Sequence, residues 1–91
     1  MMTLEEIKKR IEQDSDNGKA IEWLTDYISS NPESEEAYIL RGMRYWSQSE
    51  RGKAITDYLT AIRLNPESQA RTLLASANQI LDFYNKDLYN P

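Results

Sequence analysis

Apolar residues recur along this chain at helical spacing. Leu4, Ile7 and Ile11 stand at i, i+3 and i+7 and line one face of a first helix. Ala20, Ile21, Leu24 and Ile28 mark a second. Ala37, Tyr38, Leu40, Gly42 and Tyr45 predict a third over about 35–48, and Ala54, Ile55, Tyr58, Ala61 and Ile62 a fourth over about 52–64. Leu73, Leu74, Ala77, Ile80, Leu81 and Tyr84 predict a last helix over about 68–84. Polar residues punctuate these runs. Thr3 and Glu6 have capping-box spacing, and Glu5/Lys9 and Glu6/Arg10 are i,i+4 pairs with the acid leading. Asp14-Ser15-Asp16-Asn17 reads as a turn. Asn31-Pro32 and Asn65-Pro66 end helices, because proline lacks an amide and disfavours helix in the residue before it. Ser34 is the expected N-cap of the third helix, with Glu35 and Glu36 beside the positive end of its dipole.

The chain repeats itself. Gly18-Lys19-Ala20-Ile21 recurs as Gly52-Lys53-Ala54-Ile55, and Asn31-Pro32-Glu33-Ser34 as Asn65-Pro66-Glu67-Ser68, both 34 residues later. Arg10/Arg44, Ser15/Ser49 and Ile28/Ile62 share that offset. A single domain over 1–91 is expected, with units 1–34 and 35–68 and a third begun at 69–91. Connections of about three to five residues between helices force neighbours to run antiparallel. The expected fold is all-α, a short solenoid of about five stacked helices.

Period and anchors resemble the tetratricopeptide repeat, whose pattern runs aromatic, Leu-Gly, Tyr, Ala, Phe, Ala, Pro. The second unit supplies Tyr38, Arg41-Gly42, Tyr45, Ala54, Tyr58, Ala61 and Pro66 at matching spacing, with Arg41 in place of Leu. The first keeps Ala20, Leu24 and Pro32 but carries Lys8 at a small-residue position and Ile11 at a tyrosine position. The third keeps a small residue at Ser76, has Thr72 and Gln79 at aromatic positions, and resembles a closing helix. On this resemblance small Gly42 and Ala54 let paired helices approach, while Tyr45 and Tyr58 fill the space between them.

The resemblance also implies a concave face lined by the second, fifth, ninth and twelfth residues of each unit. Those are Met2, Glu5, Lys9 and Glu12, then Glu36, Ile39, Met43 and Trp46, then Ala70, Leu73, Ala77 and Ile80. One end of such a groove is charged, and its middle and far end are apolar. Either it takes a peptide or helix of another protein, with Met43 and Trp46 as its floor, or Ile39, Met43 and Trp46 pack onto Leu73, Ala77 and Ile80 as core. A family subtype that clamps the carboxylate tail of chaperones needs Lys, Asn and Arg at the fifth and ninth positions. Glu5, Lys9, Ile39, Met43, Leu73 and Ala77 do not supply that set. A homodimer through the apolar strip is the alternative function.

One pair of positions supports a sharper expectation. Position seven and position 23 of a unit should meet between its helices. They hold Ile7 and Trp23 in the first unit, and Arg41 and Asp57 in the second. An apolar contact and an ion pair are expected respectively.

Composition narrows the chemistry. Hydrophobic residues make up 40% and charged residues 29%, a globular balance. There is no Cys and no His, which removes thiolate and imidazole metal ligands and the usual acid/base for neutral pH. No catalytic constellation assembles, so an enzyme, a metal and a cofactor are all unexpected. Glu5/Glu6 and Glu35/Glu36 read as dipole-complementing acids. Eleven basic against fifteen acidic residues give a net charge of −4, the wrong sign for nucleic acid. No run has the roughly 18 apolar residues of a membrane span. The opening Met-Met-Thr-Leu-Glu-Glu-Ile-Lys-Lys-Arg has no apolar signal core, so a cytoplasmic protein is expected. The tail from Asp82 to Pro91 is expected either to fold Leu88 or Tyr89 back on the stack or to serve as a short recognition motif.

Overall fold

Helix α1 (Leu4–Gln13) starts where the sequence places its capping box: the Glu6 amide donates to Thr3 Oγ1 at 3.2 Å, and the Thr3 amide donates to Glu6 Oε1 at 3.4 Å. Asp14–Asp16 breaks the chain, and Asp16 then caps α2 (Asn17–Ser30) by accepting from the Lys19 amide. Asn31-Pro32 ends α2. Ser34 caps α3 (Glu35–Ser47) through the Ala37 amide, with Glu35 and Glu36 in its first turn. Ser49 takes a left-handed conformation (φ 66°) in the next turn, and α4 (Arg51–Leu64) follows. A fifth helix, α5, begins at residue 70 and is described to 77. It starts two residues later than the periodicity suggests, because the Ser68 hydroxyl turns inward and accepts the Ala70 amide at 3.1 Å. The computed structural model describes residues 2–77, and over them the fold is all-α. Ile80 and the tail 82–91 lie outside the described residues.

Each helix packs on the next in sequence, joined by the connections 14–16, 31–34, 48–50 and 65–69. Two cores result. Ile7, Ile11, Ala20, Leu24, Ile28 and Ala37 form the first, flanked by Trp23, Tyr27, Tyr38 and Leu40. Ile39, Ala54, Tyr58, Ala61 and Ala70 form the second, flanked by Tyr45, Trp46, Ile62, Leu73 and Leu74. Helix α3 feeds both, so it ties one unit to the other. Fully buried Ile7 and Leu24 each contribute about 1.5–3 kcal/mol of hydrophobic stabilisation.

The paired helices α3 and α4 approach closely at Gly42. A Cβ there would stand 2.7 Å from Tyr58 Cε1 and 3.3 Å from the Ala54 carbonyl oxygen, so the smallness of Gly42 is a packing requirement. Ala20, Leu24, Ala54, Tyr58 and Ala61 are buried, whereas Pro32 and Pro66 stand exposed in their turns. Tyr38 donates its hydroxyl to the Pro32 carbonyl at 3.2 Å, fastening α3 to the preceding turn.

The ion pair expected from the repeat is present. Arg41 Nε and Nη2 each donate to Asp57 at 2.8 Å, a bidentate arrangement with side chains only 17% and 4% exposed. Asp57 pushes the Arg41 guanidinium further above its usual value. In the first unit Trp23 packs against the core that holds Ile7. The surface pairs on α1 differ from expectation. Glu5 meets Lys8 at 3.5 Å rather than Lys9, and Arg10 lies over the Trp23 ring, 5.7 Å from its centroid.

Candidate interaction groove

The residues proposed as groove lining divide into three groups. At the charged end, Glu5, Lys9 and Glu12 are exposed on α1 and Glu36 on α3. Lys8 lies between them and pairs with both Glu5 and Glu36, bridging α1 to α3. Hydrogen bonding to Glu36 raises the Lys8 ammonium pKa from its ordinary value, with Glu5 adding to it. The lysine that departs from the small-residue pattern therefore has a structural task that the sequence did not disclose. Met2 lies elsewhere, between α1 and α2 beside Trp23 and Tyr27.

A second group is core. Ile39 is 7% exposed and Ala77 3%, and Ala70 is fully buried. Their expected place on an open lining is corrected: α5 starts close enough to α3 and α4 that Ile39 and Ala70 share one apolar cluster with Tyr58.

Met43, Trp46 and Leu73 form the third group. Met43, one helical turn beyond Ile39, is 43% exposed. Trp46 and Leu73 are half-buried, one side against the second core. With Arg44, Ser47 and the buried Tyr58 they line a cleft of about 450 Å³. It adjoins a smaller one of about 110 Å³ where Trp46, Tyr58 and Leu73 meet Ser76 and Ala77. Arg51 places its guanidinium 5.1 Å from the Trp46 ring centroid, a cation–π contact. Arg44 donates Nη1 to Asn17 Oδ1 at 3.2 Å and stands at the cleft's edge. Among the described residues no carboxylate lines either cleft, and the groove there is apolar within and basic at its rim.

Among the described residues no three His, Cys, Asp or Glu side chains gather as a metal site, and no helix is long and apolar enough to cross a membrane. Protein-family models, curated proteins and solved structures contain no match to this chain.

Proposed function

We propose that this chain is a tetratricopeptide-like, non-catalytic interaction module of the cytoplasm, and that its groove takes an apolar peptide or helix of another protein. The observation that carries the reading is the pairing of exposed Met43 with half-buried Trp46 and Leu73 over a Tyr58 floor. An aromatic anchor beside an adaptable thioether is the usual make-up of an interface hot spot. The helix-in-groove mode suits a cleft between two helices. Arg44 and Arg51 at the rim favour a ligand whose apolar anchors are flanked by Asp or Glu.

Selection of a displayed peptide library on the intact chain tests this. The enriched peptides should carry two or more bulky apolar residues at helical spacing with acidic neighbours. Met43→Glu should weaken them about tenfold or more, equivalent to about 1.4 kcal/mol, and leave thermal stability unchanged because the side chain is 43% exposed. Peptides that bind Met43→Glu as tightly as the parent would remove the groove from the proposal. A sedimentation mass of two copies, reduced to one by Met43→Glu, would favour the homodimer instead.

A further inference from the structure

The repeat supplies its own comparison. In the second unit, Arg41 and Asp57 lie between α3 and α4, and a third helix lies against Arg41. Helix α2 meets that seat through Thr25 Oγ1, which accepts from Arg41 Nη1 at 3.2 Å. The residues 34 positions earlier, Ile7 and Trp23, lie between α1 and α2. Ile7 is already buried there, whereas Trp23 stays half-buried. A cleft of about 710 Å³ stands there, lined by Met2, Glu6, Ile7, Trp23, Asp26 and Tyr27. It shares no residue with the α3–α5 groove.

Its chemistry is also changed in register. Where the second unit has Arg41, Asp57 and Ala61, the first has Ile7, Trp23 and Tyr27, so the floor is apolar and aromatic. Glu6 and Asp26 line the same cleft as carboxylates. The nearby guanidinium, Arg10, lies over the Trp23 ring. The floor suits aliphatic side chains, and the two carboxylates suit cations beside them.

We infer that this cleft is a second docking surface, the seat of a single amphipathic helix from another protein, with an aliphatic stripe on Trp23 and Tyr27 and Lys or Arg beside Glu6 and Asp26. The occupant's shape follows from α2, which packs along α3 and reaches Arg41 one unit on. Its charge follows from the rim. The two surfaces of the chain therefore prefer opposite flanks, basic at this end and acidic at the α3–α5 groove.

The test uses the full chain with Trp46→Phe, which leaves Trp23 as its single tryptophan. Two synthetic helical peptides of about four turns are titrated in, sharing one Leu/Ile stripe and differing in Lys/Arg or Glu flanks. The basic-flanked peptide should shift Trp23 emission at concentrations at least about tenfold lower than the acidic one, whose own seat, the α3–α5 groove, holds no tryptophan in this variant. Salt of about 1 M should erase that preference, since the charges at the rim are screened. Asp26 is exposed and among the described residues pairs with no other side chain, so Asp26→Arg should keep the fold and reverse the preference, and Asp26→Asn should abolish it. Equal titration of Trp23 emission by both peptides, no shift with either, or a preference at Trp23 that survives Asp26→Arg would overturn the proposal. A concentration-dependent mass increase abolished by Asp26→Arg would overturn it in favour of a second copy of this chain.

Discussion

Removal of one member of the Arg41–Asp57 pair should be far more damaging than removal of both. The Asp57 side chain is 4% exposed and takes two 2.8 Å bonds from a guanidinium that is 17% exposed. Arg41→Leu strands the buried carboxylate without either donor. A buried pair broken in this way costs about 3–5 kcal/mol, against a total stability of about 5–15 kcal/mol for a domain. At about 4–8 °C per kcal/mol the melting point should fall by at least ten degrees. Asp57→Leu should cost less, about 1–3 kcal/mol. Its arginine keeps Thr25, lies 5.7 and 5.6 Å from the Tyr38 and Tyr45 ring centroids, and has a path to water. The double variant leaves no charge behind and restores apolar character, as the first unit has at Ile7 and Trp23. It should lie within about 1–2 kcal/mol of the parent. Urea denaturation of all four chains, followed by circular dichroism, gives the coupling energy directly. A coupling below about 0.5 kcal/mol, with each single change costing under about 1 kcal/mol, would mean the pair behaves as a solvated surface bridge, and the argument from burial would fail.

Two glycines should respond in opposite directions. Gly42→Ala drives a methyl into Tyr58 and the Ala54 carbonyl and should cost about 1–3 kcal/mol despite alanine's better helix propensity, whereas Gly52→Ala meets nothing within 4 Å and should add up to about 1 kcal/mol; thermal melts that rank the two the other way would refute the close helix approach. Acid should weaken the fold modestly through three carboxylates. Hydrogen bonds from Ser68 and then Asn65 lower the Glu35 pKa, those from Lys53 and then Gln48 lower Glu50, and the Asp16 amide and then Lys19 lower Asp14. Folded values below the unfolded ones give stability that is complete above the ordinary carboxylate range near about pH 4 and is lost as pH falls through the folded values. Melting points measured downward from pH 7 should hold and then drop, with the drop reduced by Glu35→Gln; a melting point that rises on acidification would contradict the assignment.

The architecture was legible because its signals are local and repeated. A capping box at Thr3, proline stops after Asn31 and Asn65, and a glycine facing Tyr58 each work within a few residues or at one fixed offset. The Arg41–Asp57 pair was legible for a related reason: two units of one plan had changed both positions together, from Ile7 and Trp23 to opposite charges. The groove was less so. Ile39 and Met43 are one turn apart on the same face of α3, and nothing in their spacing separates a 7% exposed core residue from a 43% exposed surface one. What separates them is the start of α5. Ser68 holds that helix back to residue 70, and Ala70 then joins the Ile39–Tyr58 cluster. Ionic links across helices were hidden in the same way, since the reach of Lys8 to Glu36 depends on how α1 settles on α3.

The cleft between α1 and α2 had a signal that helical spacing alone does not expose. Tyr27 stands where the second unit has Ala61, and Ile7 and Trp23 where it has Arg41 and Asp57. A residue larger than its repeat partner, as half-buried Tyr27 is against buried Ala61, leaves side-chain surface that the stack covers only in part. Offset comparison therefore does more than periodicity can. Periodicity assigns a residue to a face of its own helix. Comparison between units asks what meets that face in each copy, and here α2 reaches Arg41 of the second unit while half-buried Trp23 and Tyr27 of the first line an open cleft.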